Sequence, residues 1–255
     1  MKKRIDEIER HYASIKRFDM AAQWLFYLTA LASLLNLYVG SLPPVFEIFT
    51  TVFVLLVIAH LGVSSVNSLH LLPAAEKHRR KQLLSDALGV PLTHAETQSY
   101  YNNGFAPSIE RLGANVMENA HFGSNITQKR LPLERIKVSA YALVWVFAVT
   151  NRSTDLGWIL ILTQVLFSGE VLLKWIKLEV FQLRVARIYE SLYSLYLNRN
   201  SRPGTVSQAE ILDAFSDYES AKAAASLYQP TRIFMQFNAA LSEEWEKIKN
   251  KVRMP

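Results

Sequence analysis

Three ionisable residues lie within apolar stretches of the sequence, where a charged side chain is costly. Glu170 interrupts the run from Leu156 to Ile176, and Glu47 and His60 belong to the run from Val45 to Val66. A charge at the centre of a bilayer costs roughly 2.5 to 3.5 kcal/mol, and such residues usually face a protein interior or water. These three residues are therefore our candidates for intramembrane polar or pore-lining positions, with Glu47 close to the start of its segment and more interfacial.

Two of these residues lie at matching depths. Glu170 is fourteen residues into its segment and His60 is fifteen residues beyond Val45, which places Glu170 about 21 Å along a helix at ~1.5 Å per residue. An imidazole and a carboxylate at matched depth could pair across two helices and line a water-filled conduit. A local alternative also exists, because Lys174 follows Glu170 by four residues and could pair with it on the same helix.

A second group of residues could bind a nucleotide-like ligand. Tyrosine rings stack on nucleobases, side-chain amides pair with polar base edges, and guanidinium groups bind phosphates. The candidate ligand-binding residues are Tyr100, Tyr101, Asn102, Asn103, Arg79, Arg80 and Arg111. The alternative interpretation of the same residues is a turn with solvated tyrosines, because Asn-Gly at 103–104 is a strong turn signal.

Sequence patterns typical of enzymes are missing. There is no cysteine, which excludes disulfides, thiolate zinc sites and cysteine nucleophiles. The nine glycines form no phosphate-binding loop, and no histidine has the spacing of a zinc motif. The sequence therefore predicts no catalytic residue, no metal site and no cofactor, in a protein that is not an enzyme.

The charge and hydropathy of the chain indicate a membrane protein with an aqueous part. The formal charge is +6 and the mean hydropathy is +0.09, which is high for a soluble chain and low for one that lies mostly in a membrane. On such a protein an excess of Lys and Arg first indicates topology and contact with anionic lipid. Direct binding of DNA is not expected.

Four apolar segments predict four transmembrane helices in two hairpins. They are Ala21–Gly40 and Val45–Val66 in the hairpin 21–66, and Val138–Thr150 and Leu156–Ile176 in the hairpin 138–176. A span needs about twenty residues. The segment 138–150 is shorter than that, so its complete crossing depends on flanking residues such as Lys137, whose aliphatic stem can extend it.

The distribution of Lys and Arg predicts the orientation. Six precede the first segment, nine lie in 67–137, and twelve lie from Lys174 onward, whereas the two hairpin turns hold only Arg152. Cytoplasmic loops carry such an excess of positive residues. Both termini and the central section should therefore be cytoplasmic, on a multi-pass protein of a bacterial inner membrane.

The remaining sections, 1–20, 67–137 and 177–255, predict a cytoplasmic helical bundle, so the fold class is all-α. Spacings of three and four after the fourth segment define an apolar repeat that we call the C-terminal seam: Leu178, Phe181, Val185, Ile188, Leu192 and Leu195. The seam could pack inside the bundle or join protomers. Ser207 and Glu210 have the spacing of a capping box, which predicts a helix that begins at Gln208 with Ser207 as its N-cap.

The layout of the chain resembles a family of bacterial effectors. Two spans, a cytoplasmic helical section, two more spans and a long helical tail are similar to the four-transmembrane pore-forming effectors of antiviral defence islands, in particular those associated with SMODS-type nucleotidyltransferases. "LLSDALGVPLT" and "YESAKAAASLYQPTRIF" look like that family's segments at the same places. The resemblance implies a membrane-disrupting effector that a second messenger or a partner protein switches on, and it carries over no catalytic residue.

The leading functional hypothesis is an oligomeric inner-membrane effector that permeabilises the membrane in antiphage defence when its cytoplasmic part senses a signal. Its expected partners are the lipid bilayer, further copies of the chain, and a nucleotide second messenger or a soluble defence protein. The alternative is a non-conducting membrane anchor or scaffold that recruits a soluble partner. A small transporter or intramembrane enzyme is a third hypothesis.

Overall fold

A computed structural model shows a helical protein. It describes residues 5–6, 9–39, 43–93, 97–98, 101, 103–151, 155–166, 169–199, 203–226 and 231–255. The helices are α1 (Glu9–Val39), α2 (Pro43–Val66), α3 (Leu72–Leu88), α4 (Ile109–Thr150), α5 (Leu156–Leu166), α6 (Lys174–Leu197), α7 (Gly204–Ala225) and α8 (Thr231–Lys251). A first π turn, Asn67–Leu71, joins α2 to α3, and a second, Gly169–Leu173, precedes α6. The predicted all-α class is confirmed, with one two-residue antiparallel pair, β1 (Ile5–Asp6) and β2 (Thr97–Gln98), as the departure.

The chain divides into two compact units. The core unit takes its described residues from Met1–Tyr12, Pro73–Arg130 and Lys177–Pro255, and the apolar unit takes them from Ala13–Leu72 and Leu131–Ile176. The apolar unit therefore contains the four apolar segments, except for residues that the structure does not describe.

The C-terminal seam lies in the hydrophobic core of the core unit. All six of its side chains are buried, and all of them except Leu178 belong to a core cluster with residues from α3, α4, α7 and α8. On α4, Leu112, Val116 and Ala120 repeat at four residues and are also buried. Because spacings of three and four place side chains on one face of a helix, each helix buries one continuous stripe. The seam thus packs within a single chain.

Gly113 marks a close approach of α4 to two other helices. A Cβ atom at this position would collide with the Tyr196 hydroxyl and would lie 2.9 Å from Cγ1 of Ile211. The Tyr196 hydroxyl is fixed there, since it donates a hydrogen bond of 2.5 Å to the carbonyl oxygen of Glu110. Gly123, on the same helix, has room: its Cβ would lie 3.6 Å from Cγ1 of Val185.

We therefore expect Gly113→Ala to lower the free energy of unfolding by about 1 to 3 kcal/mol, the usual cost of overpacking a core. Gly123→Ala is the matched control and should be neutral or stabilising by up to about 1 kcal/mol, because alanine is the better helix former. Denaturant melts of the full chain in detergent measure both. Equal stability of the two variants would show that the α4 contact can relax.

The helix ends follow local signals in two places and depart from them in one. Ser108 caps α4, because the Arg111 amide donates to its Oγ at 3.1 Å, and α3 stops before Gly89, which has a φ of +66°. The capping-box prediction was wrong. The helix begins at Gly204 after Pro203, so Ser207 lies inside α7, where its buried hydroxyl has no hydrogen-bond partner among the described residues.

Two helical stretches among the described residues are long and apolar enough to cross a membrane. They are Tyr12–Asn36 and Pro44–Leu88, and the most apolar part of the second has no buried residue. Large side chains such as Ile48, Leu55 and Leu61 are exposed there, which suits a lipid-facing surface.

The end of α4 packs against the segment that follows it within the apolar unit. The Trp145 indole donates a hydrogen bond of 2.7 Å to Oγ1 of Thr163 on α5. Val138 and Val171 are buried in a small apolar cluster with aromatic neighbours, among them Tyr141. The third and fourth predicted segments are thus neighbours in the fold.

Candidate functional site

The intramembrane candidates Glu170 and His60 come together in the apolar unit. One carboxylate oxygen of Glu170, Oε1, lies 3.7 Å from Nε2 of His60, and the other, Oε2, lies 3.6 Å from Nζ of Lys174. Glu170 therefore contacts both of its predicted partners, His60 on another helix and Lys174 four residues further along the chain. We call these residues the His60–Glu170–Lys174 cluster.

The cluster is partly open. The side chains of His60, Glu170 and Lys174 are 25%, 20% and 16% exposed. Both distances are those of ion pairs and exceed hydrogen-bond length, and no hydrogen bond to Glu170 is present among the described residues. Its oxygens can therefore accept further hydrogen bonds from water. With His60 neutral the cluster has no net charge, and protonation of His60 makes it +1.

The local helix geometry orients the side chains of Glu170 and His60. Glu170 lies in the second π turn, and single π turns inside helices occur frequently at functional sites. His60 lies on the less exposed side of α2, where its Nε2 is 3.4 Å from Oγ of Ser64 and its ring centroid is 6.2 Å from that of Phe26. An aromatic ring and a hydroxyl thus flank the imidazole.

Other polar atoms in the apolar unit lack partners. Thr50 Oγ1, Asn67 Oδ1 and Asn36 Oδ1 are buried with no hydrogen bond to any residue in the described part of the chain. Leaving such a group unpaired costs about 1 to 3 kcal/mol. Water inside the unit would satisfy them, as it would satisfy Glu170.

Glu47 is not part of the cluster. It lies near the start of α2 with an exposed side chain, and within the described residues it has no ion-pair partner. Its backbone carbonyl oxygen accepts a hydrogen bond of 2.8 Å from the Thr51 hydroxyl.

Two of the three candidate phosphate-binding arginines are engaged inside the core unit. Arg79 donates to Glu76 and to Glu219, both at 2.6 Å, and Arg111 donates to Asp86 at 3.0 Å. Both guanidinium groups thus have carboxylate partners within the core unit, and their role as phosphate contacts stays a prediction. Arg80 is exposed and makes no ion pair with a described residue.

Tyr101, Asn103 and Gly104 are likewise held by internal hydrogen bonds. The Tyr101 hydroxyl accepts a hydrogen bond of 2.9 Å from the side-chain amide of Asn119. The side-chain amide of Asn103 donates a hydrogen bond of 2.7 Å to the side-chain oxygen of the buried Asn115. The Gly104 amide donates to the carbonyl oxygen of Pro255 at 2.8 Å. Tyr100 and Asn102 lie outside the described residues. Tyr101 and Asn103 thus fix the loop to the core unit, which supports a structural turn over a base-stacking surface.

A groove between α6 and α7 also fails to favour a phosphate ligand. Its volume is about 410 Å³, and its walls carry Arg184, Arg187, Glu210, Asp213 and Asp217. Three carboxylates against two guanidinium groups leave the groove without a positive potential. A nucleotide would be repelled by one wall and attracted by the other.

Sequence reasoning missed a network of charged side chains in the core unit, which we call the ion-pair network: Tyr12, Glu76, Arg79, Glu219 and Lys222. Glu76 accepts a hydrogen bond from the Tyr12 hydroxyl at 2.9 Å and pairs with Lys222 at 3.1 Å, besides its bond to Arg79. Glu76 and Arg79 are three residues apart, a helical pairing distance that could have suggested half of it. The partners on α1 and α7 are remote in sequence.

The pKa shifts of Glu76 and Arg79 favour their charged states, whereas the pKa of Lys222 shifts the other way. Burial alone raises the pKa of Glu76, but Lys222 and Arg79 outweigh it and lower this pKa to about 2. Burial lowers the pKa of Arg79, yet Glu76, Tyr218 and Glu219 raise it well above its usual value. Burial and the neighbouring Arg79 lower the pKa of Lys222 against the pull of Glu76.

No protein-family model, curated protein or solved structure matches the chain. The geometry of the His60–Glu170–Lys174 cluster therefore carries the functional inference.

Proposed function

We propose that this chain is a membrane-permeabilising effector whose copies assemble in the bacterial inner membrane, and that the His60–Glu170–Lys174 cluster lines its conduit. The single observation that carries the proposal is the cluster itself. A carboxylate, an imidazole and an ammonium group converge within the apolar unit and keep part of their surface open. Intramembrane ionisable residues that face water mark ion pathways and proton relays.

The proposed arrangement has four spans with both termini in the cytoplasm. The contact between Trp145 and Thr163 supports the second hairpin, because it joins the third and fourth apolar segments. The excess of Lys and Arg outside the hairpin turns supports the orientation.

Reporter fusions test this topology. Fusions after Pro255 and within 98–104 should report the cytoplasm, and a fusion within 151–155 should report the periplasm. If only 21–66 crosses the membrane, the fusion within 151–155 would instead report the cytoplasm and the four-span arrangement would be wrong.

Oligomerisation is part of the proposal. Four helices of one chain enclose little space, and the apolar part of α2 buries none of its own side chains. The resemblance to antiviral defence effectors supports a trigger that acts on the cytoplasmic part, either a nucleotide second messenger or a soluble partner protein. Among the candidate arginines, Arg80 is the one that forms no ion pair with a described residue, so its guanidinium group is accessible to a phosphate.

Glu170→Gln tests the conduit, because it keeps the shape of the side chain and removes the charge. If Glu170 lines a conduit, cation flux through proteoliposomes should change by about tenfold or more, since charged linings raise the local ion concentration by at least that factor. If Glu170 only pairs with Lys174, the change should be nearly silent, because such helix pairs are worth about 0.2 to 0.5 kcal/mol.

The matched control is Glu134→Gln. Glu134 also lies in the apolar unit and pairs with a lysine of its own helix, Lys137, at 2.8 Å. Wild-type flux in the Glu170 and Glu134 variants alike, at equal membrane levels, would contradict the conduit. It would favour the second candidate function, a non-conducting anchor that recruits a soluble partner, for which the local Glu170–Lys174 pair is sufficient.

A further inference from the structure

The ion-pair network joins three helices of the core unit through charged hydrogen bonds. Arg79 on α3 bonds Glu76 on its own helix and Glu219 on α7, and Tyr12 on α1 bonds Glu76. Glu76 also pairs with Lys222 on α7. Two ion pairs therefore join α3 to α7, beside a cation–π contact of Arg79 with the Tyr218 ring, and the Tyr12 hydroxyl links α1 to Glu76.

The positions of these residues along their helices are informative. Tyr12 lies in the first turns of α1, which continues without interruption into the first apolar segment. Glu76 and Arg79 follow the first π turn, so α3 continues the helix of the second apolar segment. The ion-pair network thus holds residues at the inner ends of both helices of the first hairpin, and α7 supplies the other side of the contact.

The composition of the network suits a contact that opens. Two carboxylates balance two cations, and the charged side chains are only 11% to 19% exposed. Partly buried ion pairs add little stability over apolar packing, but the loss of one member leaves an uncompensated charge and is strongly unfavourable. A network of this kind is either closed or open, because intermediate states carry unpaired charges in a region of low dielectric.

We infer that the ion-pair network is an autoinhibitory latch, which holds α1 and α3 against α7 and keeps the conduit shut until a signal separates them. The inference rests on the proposed function and assigns its regulation. Because α1 and α3 are continuous with the first hairpin, opening of the latch frees both of its helices together.

Two substitutions weaken the latch without removing a cation. Glu219→Gln removes one charge partner of Arg79, and Tyr12→Phe removes only the hydroxyl that joins α1. Loss of an interaction that stabilises only the closed state shifts the equilibrium between closed and open states by the free energy of that interaction. We expect basal flux in proteoliposomes to rise about tenfold or more in Glu219→Gln and about three- to tenfold in Tyr12→Phe. The matched control is Glu243→Gln, which breaks an ion pair to Lys247 at 2.7 Å with both side chains exposed, and it should leak like wild type.

A second measurement reports the latch without conduction. The chain has no cysteine, so Lys77→Cys on α3 and Ala224→Cys on α7, both at exposed positions, accept spin labels for distance measurement. In the Glu219→Gln background the distance distribution should broaden, whereas Glu243→Gln should leave it unchanged. Helical content by circular dichroism confirms that each variant is folded.

The outcomes separate the two inferences. Higher flux together with a broader distribution supports the latch. A broader distribution with wild-type flux, in preparations that conduct, overturns the control of the conduit by the latch. An unchanged distribution overturns the latch itself. If no preparation conducts, the proposed function fails, and the distances alone then decide whether the network is a separable contact.

Discussion

Leu192→Lys is expected to unfold the core unit. Leu192 is 1% exposed and belongs to the hydrophobic core cluster of the core unit, so the substitution removes apolar contacts and places an ammonium group among apolar side chains. Loss of a buried leucine alone costs about 2 to 5 kcal/mol, and burial of an unpaired charge adds several more. This sum is comparable to the whole stability of a domain, about 5 to 15 kcal/mol. Denaturant melts and limited proteolysis of the full chain in detergent measure the loss.

Leu197→Lys provides the control, because Leu197 lies on the same helix and is 52% exposed. It should remain within about 0.5 kcal/mol of wild type. Because the seam packs inside one chain, Leu192→Lys should abolish the fold before it alters assembly. A folded Leu192→Lys protein with a smaller oligomer would contradict this and would make the seam an interface between protomers.

Acid should weaken the protein through Glu76. Its pKa falls from 4.5 to about 2 on folding, so the folded state binds this proton less readily than the unfolded state. The resulting stabilisation is fully present above pH 4.5 and is lost as the pH falls towards 2. The shift corresponds to about 3 kcal/mol. Thermal or denaturant melts between pH 6 and pH 2 measure it.

Glu76→Gln should flatten this pH dependence, and it should also lower the stability at neutral pH because Arg79 and Lys222 lose a partner. The exposed Glu243 serves for comparison, since its replacement by Gln should leave the loss of stability in acid almost intact. A pH profile of Glu76→Gln that overlays the wild-type profile would assign the acid sensitivity to other carboxylates.

Elements that depend on local spacing were predictable from the sequence. The C-terminal seam and the α4 stripe follow from repeats of three and four, and both are buried. Ser108 and Gly89 mark helix ends through capping and a left-handed backbone, which are also local effects. The capping-box prediction at Ser207 was wrong because α7 begins earlier in the chain. Pro203 is its N-cap residue, and Gly204 is its first helical residue.

Contacts between remote residues were predictable only where a second constraint narrowed the choice. Membrane depth is such a constraint, and it brought His60 and Glu170 into one hypothesis. In the core unit no comparable constraint indicates which remote residues lie close together. Arg79 and Glu219 are 140 residues apart in sequence, and neither periodicity nor composition selects that pair among the other exposed or buried charges. For the same reason Arg79 was assigned to a ligand when the fold uses it internally.

Glu170 lies in the second π turn, which bears on how its side chain is oriented. A π turn holds one residue more than an α turn, so it can migrate by a single residue when neighbouring backbone hydrogen bonds exchange partners. The residue that it passes then rotates about the helix axis by about 100°, the angle between successive residues of an α-helix. Migration across Gly169–Leu173 would swing the Glu170 carboxylate away from His60 while the helix keeps its length and nearly all its hydrogen bonds. A backbone slip of one residue would therefore change the distance between the His60 imidazole and the Glu170 carboxylate.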